Sequence, residues 1–278
     1  MPKTVVIPFD DLRRLYLLDG NSSRKIAKIY GCAYSTVDRK IRKFGFPIKT
    51  LAAAHIKSFR KNFSGDLTER AYLVGFRIGD LRVRKFYRNS ETLKIDCGST
   101  RYDQIEHIES LFRPYGKIWI SKPTSSGKVQ IECCVDFSFK FLLRKYCRFP
   151  DNVTKNEEVF LSALAGFIDA EGSFFVGNNN QGKFSLGNYN LNILKQIVRW
   201  LKKMEIKHRL FLGTRKGYQD KNGYVRNGNY WILEVGRKKD LERFIIIMLG
   251  YLKYLRKRSD ATKVLFNIKS RLGRWGRG

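Results

Sequence analysis

Leu164-Ala165-Gly166-Phe167-Ile168-Asp169-Ala170-Glu171-Gly172 (LAGFIDAEG) decides the reading of this chain because it has a partner. Leu73-Val74-Gly75-Phe76-Arg77-Ile78-Gly79-Asp80-Leu81 (LVGFRIGDL) parallels it 91 residues earlier. In each copy two small residues stand four apart, Gly75 with Gly79 and Gly166 with Ala170. Residues four apart share a helix face, so each segment offers a strip on which a second helix backbone can lie closely. Each segment also carries an acid at its end, Asp80 or Glu171. Packing the two helices together brings those carboxylates to one end of the pair. Neighbouring carboxylates repel each other, and divalent cations relieve the repulsion.

The surroundings of the two segments also match. Asp66-Leu67-Thr68-Glu69 resembles a capping box, and Asn156 precedes two acids, so both helices have a start signal. The first copy continues with strands over Leu81–Arg88 and Thr92–Cys97, a helix over Tyr102–Tyr115, strands over Lys117–Ser121 and Val129–Asp136, and a helix over Phe139–Tyr146. The second continues with strands over Ser173–Gly177 and Phe184–Asn188, a helix over Leu191–Met204, strands over Arg209–Arg215 and Tyr230–Val235, and closing helices. The order α-β-β-α-β-β-α thus occurs twice, joined at Phe149-Pro150-Asp151-Asn152.

With this repeat the sequence resembles the LAGLIDADG homing endonucleases in their single-chain, two-motif form. Leu164–Gly172 is a close match to the motif, Leu73–Leu81 a looser one, and the resemblance spans roughly residues 66 to 278. In the looser copy Arg77, Ile78 and Leu81 depart from the pattern, while the acid remains. The resemblance implies an α+β fold in which two pseudo-symmetric α-β-β-α-β-β-α halves form a DNA-binding saddle. The expected domains are a helix-turn-helix domain at 1–46, a basic linker at 47–65, a first half at 66–150 and a second half at 151–278.

It implies as well a site-specific homing activity: metal-dependent double-strand phosphodiester hydrolysis of a long, asymmetric DNA target across the minor groove. Asp80 and Glu171 are the expected catalytic acids and metal ligands, with Gly75, Gly79, Gly166 and Ala170 at the helix interface. Mg2+ or Mn2+ is the expected cofactor, and Ca2+ is expected to occupy the same sites without supporting cleavage. Asp169 points elsewhere on its helix and is assigned no catalytic role. An active-site basic residue is usual in this family just after the last strand of a half. Arg237 and Lys238 match that position, with Lys253 and Lys257 in the following helix region.

The family's strands form the DNA-facing surface, and alternation selects the side chains. Counting in twos from the first acid gives Arg82, Arg84, Phe86 and Arg88, leaving Val83 and Tyr87 under the helices. Thr92 and Lys94 continue that face, followed by Lys117, Trp119, Ser121, Lys128 and Gln130. The second half offers Phe175, Asn179, Lys183, Ser185, Arg215 and Lys216. Arg and Lys suit guanine O6 and N7, while Ser and Gln adapt to several bases.

The first sixty residues stand apart. Phe9–Leu18, Ser23–Tyr30 and Ser35–Phe44 are expected helices, with a break at Gly31-Cys32-Ala33 and a stop at Gly45-Phe46-Pro47. This trio resembles a helix-turn-helix. Ala27, Val37 and Ile41 seal its core, leaving Ser35, Thr36, Arg39, Lys40 and Lys43 for a groove and its phosphates.

Composition narrows the function classes. Lys plus Arg total 55 against 25 Asp plus Glu, a net charge of +30 that points to a polyanionic partner. The longest apolar run, Phe244–Leu249, is far below the roughly 18–20 residues of a membrane span. The start lacks the apolar core of a signal peptide, and Asp10 and Asp11 disfavour a transit peptide. Five cysteines without a C-x-x-C, and three scattered histidines, disfavour a disulfide frame, a zinc site and a Ser-His-Asp mechanism. The expectation is an intracellular, free-standing monomer whose partner is double-stranded DNA. Two alternatives are kept: an intron RNA maturase, since a basic surface binds intron RNA too, and a non-cleaving DNA-binding regulator.

Overall fold

The computed structural model describes residues 5–48, 60–220 and 223–272. The chain divides into an N-terminal unit, with which residues 87–91 are grouped, and a unit formed by residues 60–86 and 92 onward. Among the described residues no helix is long and apolar enough to cross a membrane. All five cysteines are free.

In the N-terminal unit, α1 (Phe9–Arg13) runs into a π-helical turn at Arg14–Leu18 and is followed by α2 (Ser23–Tyr30) and α3 (Tyr34–Lys43). The Ser22 hydroxyl accepts from the Lys25 amide and caps α2. Gly31 ends that helix at φ +60°, a left-handed conformation suited to glycine. Leu12, Tyr16, Ile26, Ala27, Val37 and Ile41 bury a small core of the unit's own.

The larger unit is built on the two motif helices, α4 (Leu67–Gly79) and a later helix ending at Glu171. After α4 come β1 (Arg82–Lys85), β2 (Thr92–Ser99), α5 (Tyr102–Phe112), β3 (Lys117–Ile120), β4 (Val129–Asp136) and a 3-10 helix at Phe137–Leu143. A short α6 (Asp151–Thr154) leads into the second motif helix, α7 (Glu157–Glu171). Then follow β5 (Gly172–Val176), β6 (Gly182–Asn188), α8 (Leu191–Lys203), β7 (Arg209–Thr214), β8 (Tyr230–Val235), α9 (Lys238–Leu249) and α10 (Leu255–Leu272). The Asp66 carboxylate caps α4 by accepting from the Glu69 amide at 2.8 Å. The Asn156 side-chain Oδ1 does the same for α7 by accepting from the Val159 amide at 3.1 Å.

Two four-stranded antiparallel sheets result, in the orders β1-β2-β4-β3 and β5-β6-β8-β7. One face of each carries the core, with Leu93, Ile95, Ile131, Cys133 and Val135 in the first and Phe174, Phe184, Leu186, Leu233 and Val235 in the second. The alternate residues face outward.

Three expectations change. The helix expected over Phe139–Tyr146 is a 3-10 helix at Phe137–Leu143, whose buried Phe139 and Leu142 stand three apart, the period of that helix. Strand β1 stops at Lys85, so Tyr87, expected under the helices, is 71% exposed in the turn that follows. In the segment 47–65 expected as a linker, residues 49–59 lie outside the described residues, and residues 60–63 pack onto the first half. There the Lys61 amide donates to the Tyr115 carbonyl and the Phe63 ring meets Phe139 at 5.1 Å. An aromatic ring within a basic run still has apolar surface to bury.

Helices α4 and α7 touch backbone to backbone. A methyl group at Gly75 would lie 1.8 Å from the Ala163 carbonyl oxygen, and one at Gly166 would lie 2.0 Å from the Tyr72 carbonyl oxygen. Helix propensity alone favours Ala over Gly by about 1 kcal/mol. Overpacking costs about 1–3 kcal/mol and acts here on backbone, which no rotamer change can relieve. Gly75→Ala and Gly166→Ala are therefore expected to lower the urea midpoint of unfolding. A midpoint at or above the parent's would show that propensity outweighs this contact.

Candidate active site and nucleic-acid interface

Asp80 lies just past the end of α4 and Glu171 is the last residue of α7. The close helix approach continues to this point: a methyl at Gly79 would fall 2.4 Å from Ala170 Cβ and 2.9 Å from Glu171 Cγ. The two acids therefore feel each other. Burial, together with the charge of Asp80, pushes Glu171 up to about 7. Burial pushes Asp80 up to about 6, against the amide of Gln104, which donates to its Oδ2, and the positive charges of Lys257 and Arg101. Gln104 lies on α5, whereas Lys257 lies on α10 with its Nζ bonded to the Gly172 carbonyl and only 6% of its surface exposed.

The donor set suits a hard divalent cation. Among the described residues no group of three His, Cys, Asp or Glu side chains could enclose a metal, which leaves two carboxylates. Cations that keep water and take phosphate oxygens as further ligands are held in that way. Cys97 is close enough to feel Asp80, but burial and that charge push its thiol up to about 12, so it stays protonated at neutral pH.

At the sixth motif position the two copies differ in kind, with Asp169 standing opposite Ile78 in the repeat. Asp169 is fully buried, and its Oδ2 accepts from the Tyr72 hydroxyl at 2.6 Å and from the amides of Lys253 and Tyr254 at 2.9 and 3.0 Å. It ties α4 and α7 to the turn that opens α10, the helix carrying Lys257. In the other motif, Arg77 donates to the Leu142 and Leu81 carbonyls at 3.1 and 2.6 Å and so closes the turn after α4. Leu81 is buried there, whereas a side chain at Gly172 would meet Ile168.

Arg237 and Lys238, expected as active-site bases, stand at the start of α9. Arg237 lines a surface depression with Lys183, Lys207, His208 and Arg209. Of the basic residues named from the sequence, Lys257 is the one whose charge reaches both acids, and Arg101, not among those named, adds its charge at Asp80. The bend between α9 and α10 carries Lys257 back to the end of α7, where it meets the Gly172 carbonyl. The signal available for Asp169 was its buried position in the motif.

Of the expected DNA-facing residues, Arg82, Arg84, Lys117 and Trp119 are exposed on the outer face of the first sheet, with Lys94 and Gln130 partly exposed beside them. Phe86 is 37% exposed just past β1. Arg88 lies in the turn beyond the strand, not on its face, because pairing ends at Lys85. Thr92 is only 8% exposed and is paired with Asp136, so it offers little to a ligand. Ser121 is used locally, accepting from the Gln130 amide, while Lys128 is exposed in the same hairpin.

In the second half Phe175 is exposed, Lys183 and Ser185 share the outer face with it, and Asn179 sits in the β5–β6 turn. Arg215 and Lys216 follow β7 in an exposed loop. Alternation along β2, β4, β7 and β8 adds Asp96, Glu132, Arg209, Phe211 and Glu234 to the outer faces. In the N-terminal unit Ser35, Arg39 and Lys43 are exposed and Thr36 and Lys40 partly so.

An acid whose folded pKa lies above its unfolded one binds protons on folding, so its charge costs stability as pH rises. For Glu171 the window runs from about 4.5 to about 7. Buried His107, lowered to about 4, acts oppositely, losing stability as pH falls through part of the same range. A variant-to-parent difference removes that overlap. Without divalent cations, Glu171→Gln is expected to be more stable than the parent above pH 7, with the excess vanishing by about pH 4.5. Urea midpoints across pH measure this, and a constant difference would contradict the upward shift of Glu171.

Comparison with known proteins adds an independent observation. Residues 158–246 match the family model described as the LAGLIDADG-like domain. The uncharacterized protein MJ0398 of Methanocaldococcus jannaschii is 24% identical over 212 residues, covering 71% of either chain. Among solved structures, I-DmoI in complex with DNA and Ca has 17% identity and a TM-score of 0.48, over 69% of this chain and 96% of that one. The LAGLIDADG meganuclease I-AabMI bound to uncleaved DNA has 16% identity and a TM-score of 0.43, over 73% of this chain and 92% of that one. From Glu158 in the second motif helix to Ile246 in α9, this chain carries a LAGLIDADG-like domain, and its first half repeats the same element order around Asp80.

Proposed function

We propose that this protein is a site-specific, divalent-cation-dependent DNA endonuclease of the homing type, acting as a monomer. The observation that carries the reading is the mutual placement of Asp80 and Glu171, each raised by burial, at the end of a glycine-packed helix pair. The net charge of +30 and the basic outer faces of the two sheets support a nucleic-acid substrate. Because the halves share little beyond their motifs, the target is asymmetric.

In this reading Asp80 and Glu171 would hold Mg2+ or Mn2+. Such a cation would supply positive charge to a phosphodiester undergoing hydrolysis. Gln104 fixes the Asp80 carboxylate through its Oδ2, leaving Oδ1 for the ligand. Lys257 and Arg101 place fixed positive charge beside the acids, and the hydrogen bond to Gly172 holds Lys257 in place. The outer sheet faces bind the duplex, and the N-terminal unit extends the footprint through α3.

Incubating the protein with a double-stranded DNA library and Mg2+, then sequencing the cut ends, tests the activity and gives the target. Asp80→Asn and Glu171→Gln preserve shape and remove the charge that holds a cation. Each is expected to slow cleavage of at least one strand by about a hundredfold or more while DNA binding persists. Parental cutting of both strands by either variant would remove these acids from the mechanism.

A chain beginning at residue 60 retains both motifs and the larger core. It is expected to fold and cut at the same position, with lower affinity and a protected stretch shortened at one end only. Equal footprints and affinities would leave the N-terminal unit without a DNA role.

A further inference from the structure

Two acids occupy the middle of a face expected to be basic. On the outer face of the first sheet, strand register sets Arg82, Asp96, Glu132 and Trp119 in one row across β1, β2, β4 and β3. Like charges directly opposite on neighbouring strands are destabilising, so this pair needs compensation. Three cations surround it. Arg84 reaches both acids, with Nε 3.4 Å from Asp96 and Nη2 3.6 Å from Glu132. Arg82 Nε lies 3.8 Å from Asp96, and Lys94 Nζ lies 2.7 Å from Glu132. Lys94 Nζ also sits 4.5 Å from the centre of the Phe86 ring.

Exposure separates the two kinds of charge. The side chains of Asp96 and Glu132 are 9% and 24% exposed, while those of Arg82 and Arg84 are 75% and 44% exposed. The acids lie beneath and the guanidiniums above. The arginine contacts exceed hydrogen-bond length, so their N–H groups are steered without being used up. Asp96 Oδ1 is buried without a hydrogen bond, an acceptor left open under Arg84. The second sheet lacks this arrangement. Its outer face has one acid, Glu234, in register with Ser185 and Arg209, and among the described residues Glu234 forms no ion pair within 4.0 Å.

We propose that Asp96 and Glu132 are positioning residues that aim Arg82 and Arg84 at base edges, concentrating base discrimination in the part of the target under the first sheet. This rests on the DNA-binding reading above. A free arginine finds any phosphate. A planar fork held from below by a carboxylate loses that freedom and keeps the geometry that matches guanine O6 and N7. The acids lower the net positive charge of the face, so they cost non-specific affinity and give selectivity in return.

The test is equilibrium binding of the full chain to randomised duplexes in EDTA, followed by sequencing of the bound fraction. No cleavage is involved. Asp96→Asn combined with Glu132→Gln is expected to tighten binding to non-target DNA and to weaken base preference by about tenfold at positions in one half of the site. Arg84→Lys keeps the charge but loses the fork, and is expected to lose preference at a subset of those positions. Thermal melting of each variant identifies any that has not folded, and the Arg84 variant, which leaves the acids in place, then carries the test. Unchanged preferences, or an equal loss over both halves, would overturn the proposal. A parent chain that binds duplex DNA with preferences spread evenly would overturn it too, leaving the endonuclease reading intact. A parent with no duplex binding at all would remove both.

Discussion

Everything at the centre of the larger unit depends on one contact: the carbonyl oxygens of Ala163 and Tyr72 lie where side chains at Gly75 and Gly166 would be. Only backbone-to-backbone approach of this kind carries Asp80 and Glu171 from separate halves into mutual range. The same contact creates a liability, since two unit charges a few ångströms apart repel by roughly 3–4 kcal/mol at the effective dielectric of a protein surface. The core outweighs it, because burying each large apolar side chain contributes about 1.5–3 kcal/mol and Tyr72, Phe76, Phe112, Phe139, Phe149 and Phe167 are among those fully buried. In the proposed reading a divalent cation relieves the repulsion from the other direction, since carboxylate oxygens suit such an ion.

The helix pair and both sheets were legible in the sequence for the same reason. Small residues four apart and apolar residues two apart are local patterns, and each is tied to one backbone geometry. Boundaries were less legible where tertiary packing decides them. Strand β1 ends at Lys85 because pairing with β2 runs out, although the alternation of side chains continues to Arg88. Thr92 has the right parity for the outer face and is nevertheless covered. Phe63 lies in a basic, aperiodic stretch, and its burial against Phe139 depends on a surface supplied seventy-six residues later.

Of the cations around the acids, Lys257 was among the basic residues named from the sequence and Arg101 was not. Lys257 is brought to them by the turn before α10, whose backbone amides at Lys253 and Tyr254 are held by Asp169, which takes three hydrogen bonds on one oxygen. Its counterpart Ile78 cannot accept a hydrogen bond, so the two halves solve the same geometric problem differently. The first uses Arg77 to close its turn onto Leu81 and Leu142, and the second uses Asp169 to draw in the following helix. The cationic environment of the acid pair therefore comes from α5 of one half and α10 of the other, with no symmetric source.

Charge has two functions in this chain, and they separate by burial. Among the described residues most Lys and Arg are exposed, where attraction to a polyanion is long-ranged, screened by salt and indifferent to sequence. The cations that touch acids are different. Lys257 is buried against the Gly172 carbonyl, and Arg84 spans two carboxylates on the sheet. Such groups give up part of their attraction for phosphate to a neighbouring acid and gain a defined direction. In the proposed reading, an excess of +30 draws the chain to nucleic acid, and the acids that sit among those cations set where on the duplex it rests. The placement of acids in a basic protein is therefore more informative about its selectivity than the number of its bases.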